Sequence, residues 1–255
     1  MSLFELTGRK AFITGASRGI GQVMAVAFAE AGADVALVAR SADGLAETAA
    51  AVEAVGRKAV VLPADVTSQE EVAGVVSAAI EQLGHVDIVV NNAGGSNFMV
   101  DFSDLRLPGW DKVINLNLSS AVYVCRAFAG HLLERGQGSV INVASVAGVA
   151  SAPQLAPYGA AKAALVSLSK TLAVEWGPRG VRVNALCPGW TATALNRDLW
   201  EDPERGPARV AGVPLGRWAR ADEMAGPALF LASDASSYMT GQVLVVDGGQ
   251  TTVAG

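Results

Sequence analysis

Seven short runs of this sequence are almost continuously apolar, and longer stretches with helical patterning separate them. The runs are KAFIT (10–14), DVALVA (34–39), KAVVL (58–62), VDIVVN (86–91), SVINVA (139–144), VRVNAL (181–186) and QVLVVD (242–247). A strand with one face in water alternates apolar and polar residues with period two. Strands that do not alternate are covered on both faces, as in a parallel sheet clad by helices. Helical segments fall near 20–31, 43–55, 68–83, 110–133, 157–176 and 221–232. Thr67 and Ser68 ahead of Gln-Glu-Glu-Val suit a helix start, and Gly177-Pro178 suits a stop. The strand–helix order predicts an α/β fold, a doubly wound parallel sheet of about seven strands with helices on both faces. No repeat or linker interrupts it, so residues 1–255 are expected to form a single domain. The exception to short connections is about 188–215, rich in Pro and Gly; it follows the sixth strand, at the end of the sheet where ligands bind in such folds.

A chain of 255 residues, 51% hydrophobic and 17% charged, can bury a sizeable core and is not expected to be disordered. Its net charge of −5, without a basic run, excludes the usual electrostatics of nucleic-acid binding. Two cysteines, Cys125 and Cys187, make no disulfide framework and suit a reducing compartment. The segment Gly136 to Ala161 has no charge and is long enough to span a bilayer, but its Gln, Asn, Pro, Ser and Gly content reads as strand, loop and helix start. The opening MSLFELTGRKAFITG has no basic region followed by an apolar core, so no signal peptide is expected. These features together predict a soluble, cytoplasmic protein with no membrane partner. His85 and His131 stand apart, make a poor metal site, and are expected at the surface.

Motifs then narrow the chemistry. TGASRGIG (14–21) follows the first strand, with Gly15, Gly19 and Gly21 in the turn and Ser17, Arg18 and Ile20 between them. Glycine permits positive φ and close approach of backbone to a bulky ligand, and a helix N-terminus offers free N–H groups to a pyrophosphate. The spacing G-x-x-x-G-x-G differs from the G-x-G-x-x-G of other dinucleotide folds. After the second strand comes Arg40, where NAD sites usually place an acid. Arg18 and Arg40 converging on a 2′-phosphate would favour NADP(H), with NAD(H) left open. In PYGAAKAAL (157–165), Tyr158 and Lys162 are four residues apart and share a helix face.

With TGASRGIG, NNAG (91–94), Ser145 after the fifth strand, and Tyr158 with Lys162 in this order, the chain resembles a short-chain dehydrogenase/reductase along its whole length. The resemblance implies a single Rossmann-type fold and a small-molecule carbonyl or alcohol substrate. It implies Tyr158 as general acid or base, with Lys162 lowering its pKa and holding the nicotinamide ribose. It implies Ser145 on the substrate oxygen and Asn117 in the proton relay, chosen over Asn115 by its spacing from Trp110. It further implies cofactor contacts from Asp65 and Val66 at adenine. Asn92, Ala93 and Gly94 would lie along the cofactor. Pro188, Gly189, Thr191 and Thr193 would lie at the carboxamide, although Thr191 stands where an aliphatic residue is commoner. Asn91 would support its strand, and no metal is implied. The expected activity is NADP(H)-dependent interconversion of a secondary alcohol and a ketone. The alternatives are an NAD-dependent sugar or polyol dehydrogenase and a non-catalytic cofactor-binding regulator. A 3-oxoacyl-thioester reductase is one form of the leading activity, although GSNFMVDF (95–102) departs from many carrier-linked reductases. The segment 188–215 would serve as a substrate lid, its Trp190, Leu195, Leu199 and Trp200 beside Arg197, Arg205 and Arg209. The family resemblance also implies a homotetramer.

Overall fold

A computed structural model describes residues 3–252; residues 1–2 and 253–255 of the expected domain lie outside the described residues. Strands β1 (Lys10–Thr14), β2 (Asp34–Ala39), β3 (Ala59–Pro63), β4 (Ile88–Asn91), β5 (Gly138–Val143) and β6 (Val181–Pro188) build the sheet. Two short strands, β7 (Thr191–Ala192) and β8 (Ala219–Arg220), pair with each other, and β9 (Val243–Val246) completes the main sheet. All neighbours in the main sheet are parallel, in the order β3-β2-β1-β4-β5-β6-β9. The order reverses between β1 and β4, which opens a crevice at their carboxyl ends.

The helices are α1 (Gly19–Glu30), α2 (Ala42–Ala54), α3 (Gln69–Leu83), α4 (Leu107–Ile114), α5 (Ser120–Arg135), α6 (Ala156–Trp176), α7 (Arg197–Trp200), α8 (Arg205–Val210) and α9 (Ala225–Ala232). Adjacent β1 residues show why the runs do not alternate. Ile13 joins a core with Met24, Phe28, Leu45 and Leu231 beneath α1, α2 and α9. Phe12 joins the opposite core with Val76, Phe128 and Trp176 beneath α3, α5 and α6. The Phe12 and Phe128 rings meet edge-on with centroids 4.9 Å apart. Each such fully buried side chain contributes roughly 1.5–3 kcal/mol. Ser68 caps α3 by accepting from the Glu71 N–H at 3.3 Å, and α6 ends at Trp176, both as the sequence predicts.

Three expectations change. The stretch 110–133 is not one helix, because a five-residue π turn, Asn115–Ser119, separates α4 from α5. The Asn117 carboxamide donates to the Val113 carbonyl four residues earlier at 2.9 Å, competing with the regular ladder there. The segment 188–215 carries β7, α7 and α8, which are too short to show periodicity. Neither histidine is a free surface residue. His85 Nε2 lies 3.1 Å from buried Asp87 Oδ2, and His131 Nε2 accepts from the Val86 N–H at 3.1 Å. Both secure the turn into β4, and desolvation lowers the His131 pKa. The uncharged segment 136–161 forms β5, a turn and the start of α6, and no helix among the described residues is long and apolar enough to cross a membrane.

Candidate active site

The glycine-rich turn sits at the carboxyl end of β1. Gly15 and Gly19 have φ of 65° and 61°, the left-handed region that glycine enters freely. Gly21 is needed for closeness: a Cβ there would lie 2.3 Å from the Gly15 carbonyl oxygen and 2.5 Å from Asn92 Nδ2. The turn is braced from β4. Thr14 Oγ1 accepts from the Asn92 and Ala93 N–H groups, each at 3.0 Å, and Asn92 Nδ2 donates to the Thr14 carbonyl at 3.0 Å. The Asn92 carboxamide is thereby turned to the loop, a role that sequence reasoning missed along with Thr14. On the other side Thr48 Oγ1 donates to the Ala16 carbonyl at 2.9 Å. Ser17 packs against Gly44, and half-buried Ile20 packs on the α1 core.

Helix α1 begins with Arg18 at its N-cap, with no side-chain cap and no acidic residue in its first turn. Its N–H groups and its partial positive charge therefore face the crevice unneutralised by a carboxylate. Arg18 and Arg40 are exposed, and Ser41 caps α2 immediately after Arg40. Asp65 accepts from the Thr67 N–H at 2.9 Å and Oγ1 at 2.8 Å. Those bonds, with help from the Arg40 charge, hold its carboxyl below the usual range. Val66 beside it is buried.

Across the crevice, α6 carries Tyr158 and Lys162, and the end of β5 carries Ser145. Ser145 caps a short turn by accepting from the Ala147 N–H at 3.1 Å, and its hydroxyl is paired with the Tyr158 phenol. Lys162 is 3% exposed, so its charge is almost wholly out of water. Its Nζ donates to the Val143 carbonyl at 2.8 Å and lies 5.6 Å from the centre of the Tyr158 ring. Asn117 clamps the next strand of backbone: its Oδ1 accepts from the Gly95 N–H at 2.8 Å and its Nδ2 donates to the Gly95 carbonyl at 2.8 Å. A Cβ on Gly94 would lie 2.7 Å from Asn117 Oδ1 and 3.0 Å from Lys162 Nζ. Gly94 is therefore the point where these two side chains meet the loop after β4.

Burial dominates the electrostatics. It raises the Tyr158 pKa, with Ser145 opposing, and lowers Lys162 to about 8. The Lys162 ammonium, expected to lower Tyr158, donates to the Val143 carbonyl and lies over the Tyr158 ring. Cys187 is buried, as its apolar surroundings in the sequence lead one to expect. This buried thiol lies beside Ser145 and Lys162, and burial pushes it to about 11.

The chain after β6 closes the other wall. Pro188 pairs with Val246 of β9, and Gly189 packs on Asp247. Buried Thr191 donates from Oγ1 to the Gly189 carbonyl at 3.1 Å. Thr193 forms a capping box with Asn196, and its methyl would stand 3.5 Å from a Cβ on Gly19. Leu195 covers Gly95. The structure thus brings the glycine turn, the loop after β4, the Ser145–Tyr158–Lys162–Asn117 group and the segment after β6 to one crevice.

A family model described as Enoyl-(Acyl carrier protein) reductase matches residues 15–251. Gluconate 5-dehydrogenase from Gluconobacter oxydans (strain 621H) is 39% identical over 249 residues, covering 98% of this chain and 97% of that protein. The chain belongs to the short-chain dehydrogenase/reductase family. A second relative in that family is the rhamnolipids biosynthesis 3-oxoacyl-(acyl-carrier-protein) reductase of Pseudomonas aeruginosa, 40% identical over 252 residues, with 96% of this chain and 97% of that protein covered. The crystal structure of a gluconate 5-dehydrogenase from Burkholderia cenocepacia J2315, in complex with NADP and tartrate, superposes with a TM-score of 0.94 at 36% identity, covering 99% of this chain and 98% of that one. As in other short-chain dehydrogenases/reductases, the fold is a Rossmann-like parallel sheet with helices on both faces. The crevice fits a dinucleotide on its own chemistry: an uncapped helix N-terminus, two left-handed glycines, and a loop at Gly94 with no side chain to bar approach.

Proposed function

We propose that this oxidoreductase interconverts a secondary alcohol and a ketone on a small molecule, using NADP(H). The observation that carries the reading is the meeting of Ser145, Tyr158, Lys162 and Asn117 at the carboxyl ends of β4 and β5, opposite the glycine turn. Gly15, Ser17, Gly19, Ile20 and Gly21 would hold the pyrophosphate. Arg18 and Arg40 would hold the 2′-phosphate, with Asp65 and Val66 at adenine. Asn92, Ala93, Gly94, Pro188, Gly189, Thr191 and Thr193 would line the rest. The bound nicotinamide supplies the hydride. The NADP of the Burkholderia structure supports this cofactor.

The protein's own part is proton transfer and charge stabilisation. In the direction of reduction, the Ser145 hydroxyl donates a hydrogen bond to the carbonyl oxygen and Tyr158 delivers the proton to it. The phenol, its pKa raised by burial, is protonated at neutral pH, and a neighbouring positive charge that favours the phenolate makes it a better acid. Once the proton has left, the buried ammonium of Lys162 offsets the phenolate charge. Asn117 holds the loop at Gly95 in register with these groups.

The same reading makes 1–255 a single domain whose 188–215 segment covers the substrate, in a cytoplasmic homotetramer. Exposed Val122 on α5 and Val174 on α6 support self-association through those helices, which light scattering would test. For the reaction, nicotinamide absorbance with NADPH and a panel of ketones, keto sugars and β-keto thioesters is the assay. Tyr158→Phe should abolish turnover and leave NADPH binding in place. Full activity in that variant would overturn the assignment.

A further inference from the structure

The segment from β7 to β8 is rich in arginine, and one arginine differs from the rest. Arg197 pairs with Glu201, Arg205 with Asp202, Arg217 with Glu223, and Arg220 with Asp222. Their side chains are about half exposed or more, at 62%, 64%, 49% and 68%. Arg209 on α8 is half-buried, and among the described residues no carboxylate lies within ion-pairing distance of it. Its guanidinium carbon sits 5.6 Å from the centre of the Trp190 ring, and one of its nitrogens is 3.9 Å from Met99 Sδ. The Trp190 ring is itself held edge-on by Trp218, with centroids 5.2 Å apart, and the Trp218 N–H donates to the Gly206 carbonyl at 2.8 Å.

Both neighbours of Arg209 lead back to the candidate active site. Met99 lies on the loop whose Gly94 meets Lys162 and Asn117 and whose Gly95 meets Leu195. Trp190 follows Pro188 and Gly189 at the end of β6. Arg209 therefore sits on the rim where the loop after β4 faces the segment after β6. A guanidinium packed on an aromatic face keeps its N–H edge free for a planar acceptor.

We propose that Arg209 recognises a carboxylate on the substrate, so that the preferred substrate is a hydroxy acid or keto acid rather than a neutral polyol. This rests on the oxidoreductase reading above. A single unpaired guanidinium matches one carboxylate through two parallel hydrogen bonds. A phosphate dianion would call for a second free cation, and the other arginines of this segment are already paired. Arg209 is here a specificity residue, with no part in proton transfer.

The test compares C4–C6 aldonates with the alditols of the same carbon skeleton, using NADP⁺ and the wild-type protein, Arg209→Gln and Arg209→Lys. Loss of a charge-assisted bond predicts that Arg209→Gln lowers kcat/KM for the acids on the order of 10- to 100-fold, mainly through KM. The alditols should change by less than about threefold, and Arg209→Lys should recover part of the loss. Binding of the same acids to Tyr158→Phe and to Tyr158→Phe/Arg209→Gln, by calorimetry, reads recognition without turnover. Weaker binding in the double variant supports the proposal even if the chemistry assigned to Tyr158 fails. An equal loss on acids and alditols, no loss on acids, or acid binding indifferent to Arg209 would each overturn it. Inorganic phosphate competing through Arg209 more strongly than the acids would overturn the choice of carboxylate.

Discussion

Replacing Gly21 by alanine tests whether the dinucleotide turn depends on close approach. In an ordinary helix the exchange stabilises by roughly 0.5–1 kcal/mol, because glycine loses more freedom on folding. Here the new methyl would meet the Gly15 oxygen at 2.3 Å, the Gly15 carbon at 2.9 Å and Asn92 Nδ2 at 2.5 Å. Ordinary contact begins near 3.4 Å, so α1 or the turn must retreat by about 1 Å. Overpacking of that kind costs about 1–3 kcal/mol. Retreat also loosens the Asn92 bonds to the Thr14 and Gly15 carbonyls, now 3.0 and 3.2 Å, each worth about 1 kcal/mol. The balance is a destabilisation of about 2–3 kcal/mol, a fall in Tm on the order of 5–10 °C. The control is Gly74→Ala on the exposed face of α3, where a Cβ meets nothing within 4 Å; it should raise Tm by about 1–4 °C. Scanning calorimetry of both variants, with NADPH titration of the folded Gly21→Ala protein, is the assay. If Gly21→Ala melts at or above wild type, the argument from close approach fails, whatever Gly74→Ala does.

Other outcomes can be checked by similar means. Arg40→Asp should weaken NADPH relative to NADH by about tenfold or more in fluorescence titrations; an unchanged ratio would remove Arg40 from cofactor choice. Lys162 titrates near 8 in the fold against 10.5 outside it, so below about 8 both states are charged and the cost of burial is fully felt. Between those values the unfolded chain holds the extra proton, and stability should rise with pH by about 3 kcal/mol, a rise missing in Lys162→Met. Above pH 10 the raised Tyr158 pKa opposes further gain, since the unfolded phenol ionises first. Asn142→Leu should cost about 2–4 kcal/mol in urea unfolding, because Asn142 joins Asn91 to Ser169 through two buried 2.8 Å bonds; a loss under 1 kcal/mol would show the chain to be dispensable.

What could be read from the sequence was what a single element or turn expresses by itself. Phe12 and Ile13 go to opposite cores, and that is visible as a run without alternation. Gly15 and Gly19 have positive φ, and Tyr158 and Lys162 share a helical face, both within a few residues of chain. The unread features join distant parts of the chain. Thr14 and Asn92 stand 78 positions apart, and only the adjacency of β1 and β4 puts one on the other. His85 and His131 look solitary until α5 packs beside the turn into β4. The π turn at Asn117 escapes a periodicity argument because one extra residue per turn shifts the apolar pattern too little to see.

The arginines after β6 carry the same lesson into specificity. As sequence, Arg197, Arg205 and Arg209 are three equivalent cations among tryptophans and leucines. Once α7 and α8 form, Glu201 and Asp202 neutralise the first two within four residues, by local helical spacing alone. Among the described residues Arg209 has no such partner. It acquires an environment only because α8 folds back so that Trp190 and Met99, one from each wall of the crevice, meet at its side chain. Charge already matched within its own helix adds little toward a ligand, whereas an unmatched guanidinium held between two loops of the crevice retains its full capacity to bind an anion. Specificity in this chain thus turns less on how many arginines the segment contains than on which one the fold leaves without a carboxylate.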